Sequence, residues 1–575
     1  MDFHTIFGSL LHLLATADTA QQCWIGGTLV YLLLLVILHH KWRDDKRMLG
    51  RWQLMALLPL AAAAAHLFIY VAPKWEFYGI YSNYYLIVLL TVLPMLLGRW
   101  RIGYRITAVT GGLLIALLGI FSLLTAQHFG NYYSKSYTES FRAAVQDMER
   151  TYILKEWKET DFAALEAKYL PRIEEAEKEQ NSAKFIDAVS DFLLDLHDGH
   201  VWAGYPDDYD PSASAYQMHE YGLCLFPLDS GEVIAVNTAE EVQKLGILNG
   251  SIITKWNGKP IKQAIREDSR ENGSPVQSNE DFLRTVFLSC TGGDTVEVSY
   301  LDDDKEKTVT LSDLGTQYSS VGDTMQAFTQ SVEIHSLEEL HELNFSTKML
   351  DDKCGYLRVL GEETQSTLQD YLGYLAGNHT WAREMFREKL RDLKNQGMEY
   401  LVIDLRNNTG GFDEIGCALT DLLTTEEWYG QGLGIRKNGQ YICTSDHGIH
   451  GDGEFADLKA VALTNFNCAS AGDGTSLYLS RLPNVTLAGM TEPCGCNQET
   501  GGNIMLADGL VSIFYPTGLI LDENCVPNID TRADRVSRNP VEVHIPVDMN
   551  AAMQLFSLGN DYELEWARQF LETQN

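Results

Sequence analysis

Four long apolar runs in the first 127 residues constrain this chain most strongly, because a helix needs about 20 apolar residues to cross a bilayer. The runs are Trp24–His39, Trp52–Val71, Gly79–Gly98 and Ile106–Gln127. The first run is also compatible with the apolar part of a signal peptide, but no Lys or Arg precedes it and three further runs follow. The sequence therefore predicts an all-α, four-helix transmembrane module over residues 23–127, after an N-terminal segment, 1–22.

The basic residues between these runs predict the orientation of the module. The first of the three loops carries the basic residues Lys41, Arg43, Lys46, Arg47 and Arg51, and the third carries Arg99, Arg101 and Arg105. The middle loop carries only Lys74. Because basic loops stay on the cytoplasmic side, both termini are expected outside. The sequence thus predicts a multi-pass protein of the cell membrane, in contact with the lipid bilayer, whose segment 1–22 and large C-terminal part are extracytoplasmic.

Charge separates the two parts of the chain. The net charge is −34 over 575 residues, but residues 1–127 carry +4 and the remainder carries −38. An acidic surface does not release the counterions of nucleic acid, so no nucleic-acid partner is expected. The ten cysteines form no zinc-type pair of CxxC motifs, and Cys494 and Cys496 form a lone CxC. We expect buried thiols or one or two disulfides, with no metal and no cofactor.

The acidic part changes its pattern twice along the chain. Residues 128–210 have helical periodicity, and this lead-in ends near Asp198-Gly-His200. Residues 218–312 form short β-runs, with a hairpin signal at Asn257–Gly258. From residue 350 to 575, apolar strands such as Tyr400–Leu405 alternate with helices, among them a charged helix over Thr367–Gln396. Alternating strands and helices predict an α/β core with a covered parallel sheet.

Two glycine-rich or small-residue segments follow buried strands of this core. The first is Asp404–Gly411, which ends in Gly410-Gly411, and the second is Asn467–Asp473, which contains Ser470. A serine at a strand-to-helix corner lies at the positive end of the helix dipole, which favours a developing alkoxide. The alternative for a lone serine at a helix start is a simple N-cap.

The β-block resembles a PDZ domain. The family usually has a glycine, an apolar residue, Gly, Asp and Ile where this chain has Gly246, Ile247, Gly250, Ser251 and Ile252. The resemblance places a carboxylate-binding loop at Gly222–Phe226, where backbone N–H groups hold a peptide end while the peptide adds a strand. The peptide-binding residues that it implies are Gly222, Leu223, Cys224 and Leu225. The alternative is a structural β-domain that binds nothing.

The acidic part as a whole resembles the C-terminal-processing (tail-specific) serine peptidases and their tricorn-core relatives. Five motifs follow in the family's order: Asp198-Gly-His200, the PDZ-like block, Gly355-Tyr356, Asp404–Gly411 and Cys468-Ala-Ser470-Ala471. Gly489-Met-Thr491 and Pro527-Asn-Ile529 stand at two further family positions. The resemblance implies a crotonase-like ββα peptidase core over 350–575. It implies Ser470 as nucleophile and Gly410, Gly411 and Ala471 as the oxyanion hole.

The resemblance leaves two bases to distinguish. Many members use a lysine about 25 residues after the serine, but this chain has Gly495 and Cys496 there and no lysine after Lys459. The tricorn-like branch uses a histidine at the end of the lead-in, which corresponds to His200. In that branch an acidic residue fifty to sixty positions past the serine assists, and Asp522 or Glu523 lies in that region.

The sequence therefore predicts a membrane-anchored, extracytoplasmic serine endopeptidase that acts on protein or peptide substrates. The alternative is a catalytically inactive, PDZ-bearing membrane receptor or scaffold that binds peptide C-termini.

Overall fold

The structure is a computed structural model that describes residues 6–11, 19–42, 44–56, 128–206, 209, 214, 216–315, 317–377, 379–437 and 440–574. Among these residues, no helix combines the length and the apolar character that crossing a bilayer requires. The first predicted span lies within helix α1, Thr19–Trp42, and helix α2 follows at Lys46–Ala56. The second predicted span is described only up to residue 56, and the third and fourth lie outside the described residues. These three spans stay predictions.

The helical lead-in predicted over 128–210 consists of strand β1, three helices and strand β2. Their bounds are β1 His128–Asn131, α3 Tyr137–Thr151, α4 Phe162–Glu179, α5 Ser182–Leu194 and β2 Trp202–Gly204. The first two of these helices begin at Ser136 and Asp161, whose side chains accept a backbone N–H of the first turn. One apolar cluster joins the three helices to the C-terminal part of the chain.

The PDZ-like block has the predicted short strands and hairpin. Its elements are β3 Cys224–Pro227, β4 Val233–Val236, α6 Glu240–Gln243, β5 Ile253–Trp256, β6 Lys259–Pro260, α7 Ile261–Glu267, α8 Gln277–Leu288, β7 Thr295–Asp302 and β8 Lys305–Ser312. Strands β3 and β4 pair with each other, and the other four form a sheet in the order β6-β5-β7-β8. Asn257 and Gly258 both have positive φ in the β5–β6 turn, as the hairpin signal predicted.

The C-terminal part is an α/β core that two six-stranded sheets organise. Its first elements are α9 Ser320–Thr329, α10 Leu337–Leu343, β9 Thr347–Met349, β10 Cys354–Arg358, α11 Thr367–Ala376, α12 Thr380–Asn395, β11 Tyr400–Asp404, α13 Asp413–Leu422, β12 Trp428–Lys437 and β13 Gln440–Ile449. The remainder are β14 Lys459–Leu463, α14 Ala471–Ser480, β15 Val485–Gly489, β16 Glu499–Met505, β17 Ser512–Leu521, β18 Val543–His544, α15 Met549–Phe556 and α16 Tyr562–Thr573.

The first sheet has the order β18-β15-β14-β11-β10-β9 and is parallel except for β9. Strand β11 is buried along its whole length because helices cover both faces. Val402 lies in one apolar cluster with α16, whereas Leu401 and Ile403 lie in another with α12 and α13. This double coverage explains the continuous apolar run in the sequence.

The second sheet joins the lead-in to the core. Its order is β1-β16-β17-β12-β13, and β2 pairs with β17. Two lead-in strands thus complete a sheet whose other strands come from residues 428–521. This pairing fixes the end of the lead-in, where His200 lies, against the C-terminal core.

One predicted element was wrong in extent. The charged helix expected over Thr367–Gln396 is two helices, α11 and α12, separated at Gly377, which has a left-handed φ of +56°. Glycine adopts this conformation without a side-chain clash and is therefore a common helix stop.

Candidate active site

Ser470 lies at the corner between β14 and α14, directly before the first helical residue, Ala471. Its φ is +57° and its ψ is −131°, and a positive φ is uncommon for a residue with a side chain. A serine in this position usually caps the helix with its hydroxyl, but the Ser470 hydroxyl makes no capping hydrogen bond. The Oγ atom is therefore left available at the positive end of the helix dipole.

The predicted oxyanion residues lie directly against this serine. A Cβ atom on Gly410 would come 2.5 Å from Ser470 Cβ and 2.8 Å from Ala471 N, so only glycine allows this approach. The Gly410 N–H already donates to Asn408 Oδ1, at 2.9 Å. By contrast, the N–H groups of Gly411 and Ala471 have no hydrogen-bond partner in the described part of the chain. These two N–H groups, and not that of Gly410, are the free donors at the site.

The loop of His200 reaches Ser470 through the segment Cys494–Cys496. A Cβ atom on Gly199 would come 2.7 Å from the Sγ of Cys494 and 2.6 Å from the Sγ of Cys496. The carbonyl of Cys496 in turn accepts the backbone N–H of Ser470, at 3.0 Å. The structure therefore brings together the two motifs that the sequence separates by 270 residues. A glycine before His200 is required here because any side chain would displace the two thiols.

Burial controls the protonation of His200, which is 8% exposed. Burial lowers the pKa of His200, with Lys158 acting in the same direction and Asp198 opposing it. The Nδ1 atom is buried and has no partner among the described residues. Asp198 orients the loop, since its Oδ1 accepts the His200 N–H at 2.8 Å and its Oδ2 accepts the hydroxyl of Tyr152 at 2.6 Å. The imidazole is thus neutral near pH 7, as a base must be.

The two carboxylates that the sequence offered as partners of the base have other surroundings. Asp522 closes a turn, because its Oδ1 accepts the N–H groups of Asn524 at 2.8 Å and Val526 at 3.1 Å. Its Oδ2 lies 3.9 Å from Arg538. Glu523 is exposed. None of these hydrogen bonds and ion pairs of Asp522 involves His200, and Glu523 faces solvent.

Asp530 is a buried carboxylate that the sequence interpretation missed. Its Oδ2 accepts hydrogen bonds from the N–H of Asn497 at 3.0 Å and from Nε2 of Gln498 at 2.9 Å. Its Oδ1 is buried without a partner among the described residues. Burial, with Asp198 nearby, raises the pKa of Asp530 to about 7. The available signal was its position, directly after Pro527-Asn-Ile529 and 60 residues past the serine.

Asp473 holds the Cys494–Cys496 loop on the nucleophile helix. Its Oδ2 accepts the N–H groups of Gly495 at 2.6 Å and Cys496 at 3.2 Å, and its Oδ1 accepts Nδ2 of Asn539 at 2.8 Å. Burial raises the pKa of Asp473 to about 7. One side chain therefore fixes the loop that contacts both Ser470 and the residue before the histidine.

A buried ion-pair network supports the glycine turn. The Arg406 guanidinium donates to both oxygens of Asp404, at 2.9 and 2.8 Å, and to both oxygens of Asp561, each at 2.8 Å. Glu563 accepts a further bond, at 3.2 Å. Arg406 is 2% exposed, so it neutralises carboxylates that would otherwise be buried unpaired. Asp404 and Arg406 therefore form a structural pair beneath the turn.

The predicted peptide-binding loop differs from the expected arrangement. Gly222, Leu223, Cys224 and Leu225 are all buried. The N–H of Gly222 donates to Glu220 Oε1 at 2.7 Å, and that of Leu225 donates to Ser289 Oγ at 2.7 Å. These two groups are therefore unavailable for the carboxylate of a peptide.

Helix α9 packs on β3 and α8, the two elements that would line a peptide groove in the PDZ fold that this block resembles. The ring of Phe328, on α9, is 5.4 Å from that of Phe226 on β3 and stacks at 4.7 Å on that of Phe282 on α8. Helix α9 thus contacts both elements that line a PDZ groove. The alternative function, a receptor for peptide C-termini, requires this groove to be open.

Two other histidines of the described part of the chain, His197 and His544, lie beside carboxylates. His544 Nε2 lies 3.0 Å from Asp229, and His197 Nδ1 lies 3.6 Å from Glu280. Across the described ranges, no group of three or more His, Cys, Asp or Glu side chains is arranged to hold a metal ion.

Residues 355–523, which include Ser470 and the glycine turn, match the family model described as Peptidase family S41. No curated protein matches the chain by sequence. Among solved structures, the chain is similar to mature CPAF complexed with lactacystin, with 12% identity and a TM-score of 0.49 over 76% of this chain and 98% of that one. It is also similar to the photosystem II D1 C-terminal processing protease, with 17% identity and a TM-score of 0.33 over 74% and 98% of the two chains. A third similar structure is that of the tricorn protease, with 14% identity and a TM-score of 0.32 over 77% of this chain and 37% of that one.

Proposed function

We propose, since this chain is a serine peptidase of family S41, that it is an endopeptidase that cleaves protein substrates with Ser470 as nucleophile and His200 as base. The observation that carries this proposal is the uncapped hydroxyl of Ser470 beside two unpaired N–H groups. A serine that served only as a cap would use its hydroxyl on the helix. Here the hydroxyl is left for chemistry.

The geometry supports a two-step hydrolysis. The neutral imidazole of His200 takes the proton of Ser470 as Oγ attacks the carbonyl carbon of the substrate. The N–H groups of Gly411 and Ala471 stabilise the negative oxygen that forms, and each such donor is worth on the order of 3 kcal/mol of barrier. The imidazolium then protonates the leaving amine, and water hydrolyses the acyl-enzyme in a second step with the same base.

The first experiment measures labelling by a fluorophosphonate, which reacts with an activated serine. Wild type should be labelled, and Ser470→Ala should lose labelling while remaining folded, because the Ser470 side chain makes no capping bond that the substitution would remove. Ser480→Ala is the control, since the Ser480 hydroxyl bonds only to the carbonyl of Leu477 in its own helix. Undiminished labelling of folded Ser470→Ala would refute the assignment.

We assign the carboxylate that orients the base to Asp530 in preference to Asp522 or Glu523. Asp530 is buried, its Oδ1 has no partner among the described residues, and the charge of Asp198 acts on it, whereas Asp522 closes a turn and Glu523 is exposed. Asp530→Asn should reduce the fluorophosphonate labelling rate by at least tenfold. Asp522→Asn and Glu523→Gln should leave the rate within about threefold of wild type. If one of these two variants lost more labelling rate than Asp530→Asn, the orienting carboxylate would be Asp522 or Glu523, as the sequence predicted.

The extracytoplasmic location is a further part of the proposal. It is supported by the four apolar runs and by the distribution of Lys and Arg between their loops. The test introduces single cysteines at Asp45, in the first basic loop, and at Asp304, in the exposed β7–β8 turn. A membrane-impermeant maleimide applied to intact cells or spheroplasts should label the second site and spare the first. Labelling at 45, or protection at 304, would overturn the topology.

A further inference from the structure

Two cysteines that are distant in the sequence meet at the edge of the second sheet. Cys443 lies on β13, and Cys525 lies in the turn that follows β17. Their Sγ atoms are 2.9 Å apart, although 82 positions separate the residues. Both side chains are partly exposed. A disulfide needs its sulfurs to close to about 2.05 Å, so a shift of less than 1 Å would join them.

The sheet itself creates this meeting. Strand β12 lies between β13 and β17, and its Gly434 is paired with Cys443 on one side and with Leu519 on the other. The turn after β17 then carries Cys525 back across β12 towards β13. Gly434 has no side chain, and a Cβ atom there would meet Leu521 at 2.3 Å. The side chain of Leu521 therefore packs closely over β12, and the turn that carries Cys525 begins directly after it.

The other cysteines of the described residues do not offer an equivalent pair. Five are buried and have no sulfur partner: Cys224, Cys290, Cys354, Cys417 and Cys468. Cys494 and Cys496 have sulfurs 3.4 Å apart, but one residue separates them and Cys496 is fully buried. Cys443 and Cys525 therefore combine the shortest sulfur distance with access to a reagent.

We infer that Cys443 and Cys525 form a structural disulfide when the domain meets an oxidising environment. The oxidant is a low-molecular-weight disulfide such as oxidised glutathione. One protein thiolate attacks it and forms a mixed disulfide, with release of one glutathione thiolate. The second protein thiolate attacks the protein sulfur of the mixed disulfide and releases the other. Two protein thiols are oxidised, one glutathione disulfide is reduced, and two glutathione molecules leave.

The bond would enclose the nucleophile segment. The loop from 443 to 525 contains Ser470 and helix α14, and it ends five residues before Asp530. Cross-linking positions this far apart restricts the unfolded chain strongly, and the native contacts already hold the sulfurs together. We expect oxidation to raise the Tm by on the order of 10 °C. The inference does not depend on the catalytic assignment, because it needs neither Ser470 nor His200.

Peptide mapping decides the pairing. The purified full-length chain is equilibrated with oxidised glutathione at pH 8.5, because burial raises the pKa of Cys443 to about 11 and slows its reaction at neutral pH. It is then denatured, alkylated without reductant, and digested with trypsin and a glutamate-specific protease. These cuts separate Cys443, in 438–454, from Cys525, in 524–532, and leave Cys494 with Cys496 in 482–499, since the bond before Pro493 resists cleavage.

The expected product is the linked pair 438–454 and 524–532, with Cys354 alkylated as the internal standard. Reduction should lower the Tm of wild type, and it should leave unchanged the Tm of Cys443→Ser and of Cys525→Ser. Alkylation of both cysteines after equilibration, or a link from either to 482–499, would overturn the inference. Because the map is made on wild type, a poorly folding variant does not affect it. Loss of fluorophosphonate labelling would concern the proposed function and leave this result intact.

Discussion

Replacing Gly410 with alanine separates contact geometry from chemistry at this site. The new methyl carbon would lie 2.5 Å from Ser470 Cβ, while ordinary contact begins at 3.4 Å. The turn and the serine must therefore part by about 0.9 Å, since the backbone atoms of Ala469 and Ala471 at 2.9 and 2.8 Å block the alternative directions. A displacement of about 1 Å at a reacting centre costs roughly 100-fold in rate.

The positive φ of Gly410, +87°, adds a backbone cost of about 1–2 kcal/mol to stability. Gly258→Ala is the matched control for this cost. Gly258 has a φ of +75°, and an added Cβ would find nothing within 4 Å. The control should lose a similar amount of stability and no labelling rate.

The assay is the second-order rate constant of fluorophosphonate labelling, which needs no known substrate, together with thermal unfolding. Gly410→Ala should label about 100-fold more slowly than wild type and remain folded at the assay temperature. If folded Gly410→Ala labels within threefold of wild type, the turn does not set the position of the nucleophile, and the proposed oxyanion geometry fails with it.

Three further predictions follow from the same contacts. His200→Ala and Ser470→Ala should each lower the rate of protein hydrolysis by several orders of magnitude, and the double variant by little more, because members of one catalytic unit are not additive. His197→Ala should lose far less, and full additivity in the hydrolysis rates would contradict the pairing of Ser470 with His200. The lowered pKa of His200 keeps the base neutral at pH 6.5, so the labelling rate should fall only below that pH, and a midpoint above 6.5 in a pH–rate profile would contradict the effect of burial. Arg406→Met leaves buried carboxylates unpaired and should lower the free energy of unfolding by about 3–5 kcal/mol, which calorimetry would show as a fall in Tm of roughly 10 °C. Arg391→Met, at an exposed ion pair, should lower the free energy of unfolding by under about 1 kcal/mol.

Local pattern was sufficient for much of the fold. The strand Tyr400–Asp404 is apolar along its length because both of its faces are covered, and the hairpin at Asn257–Gly258 follows from the left-handed preference of those residues. The corner at Ser470 was visible as small residues between a buried strand and a helix. Such features depend on residues within a few positions of one another, which is the range that periodicity and turn chemistry report.

The long-range features could not be predicted in this way. The position of Asp530 in the sequence made it one of several possible carboxylates, and its burial near Asp198, 332 positions earlier, is what separates it from Asp522 and Glu523. The filling of the PDZ-like groove by α9 depends on packing between Phe226 and Phe328. Burial and pairing between distant segments are properties of the packed chain, and no local rule contains them.

The amino-acid sequence by itself determined the acidic α/β core, the order of its motifs, the segment around Ser470 and the glycine turn. Each of these features depends on residues that are close to one another in the sequence. The tertiary structure alone decided which N–H groups remain free, since Asn408 occupies that of Gly410. It alone brought the glycine before His200 against the thiols of the Cys494–Cys496 loop, and Cys443 against Cys525. The physical reason is the same in each case: a hydrogen bond or a contact between distant residues exists only after the sheets have paired and excluded water around them.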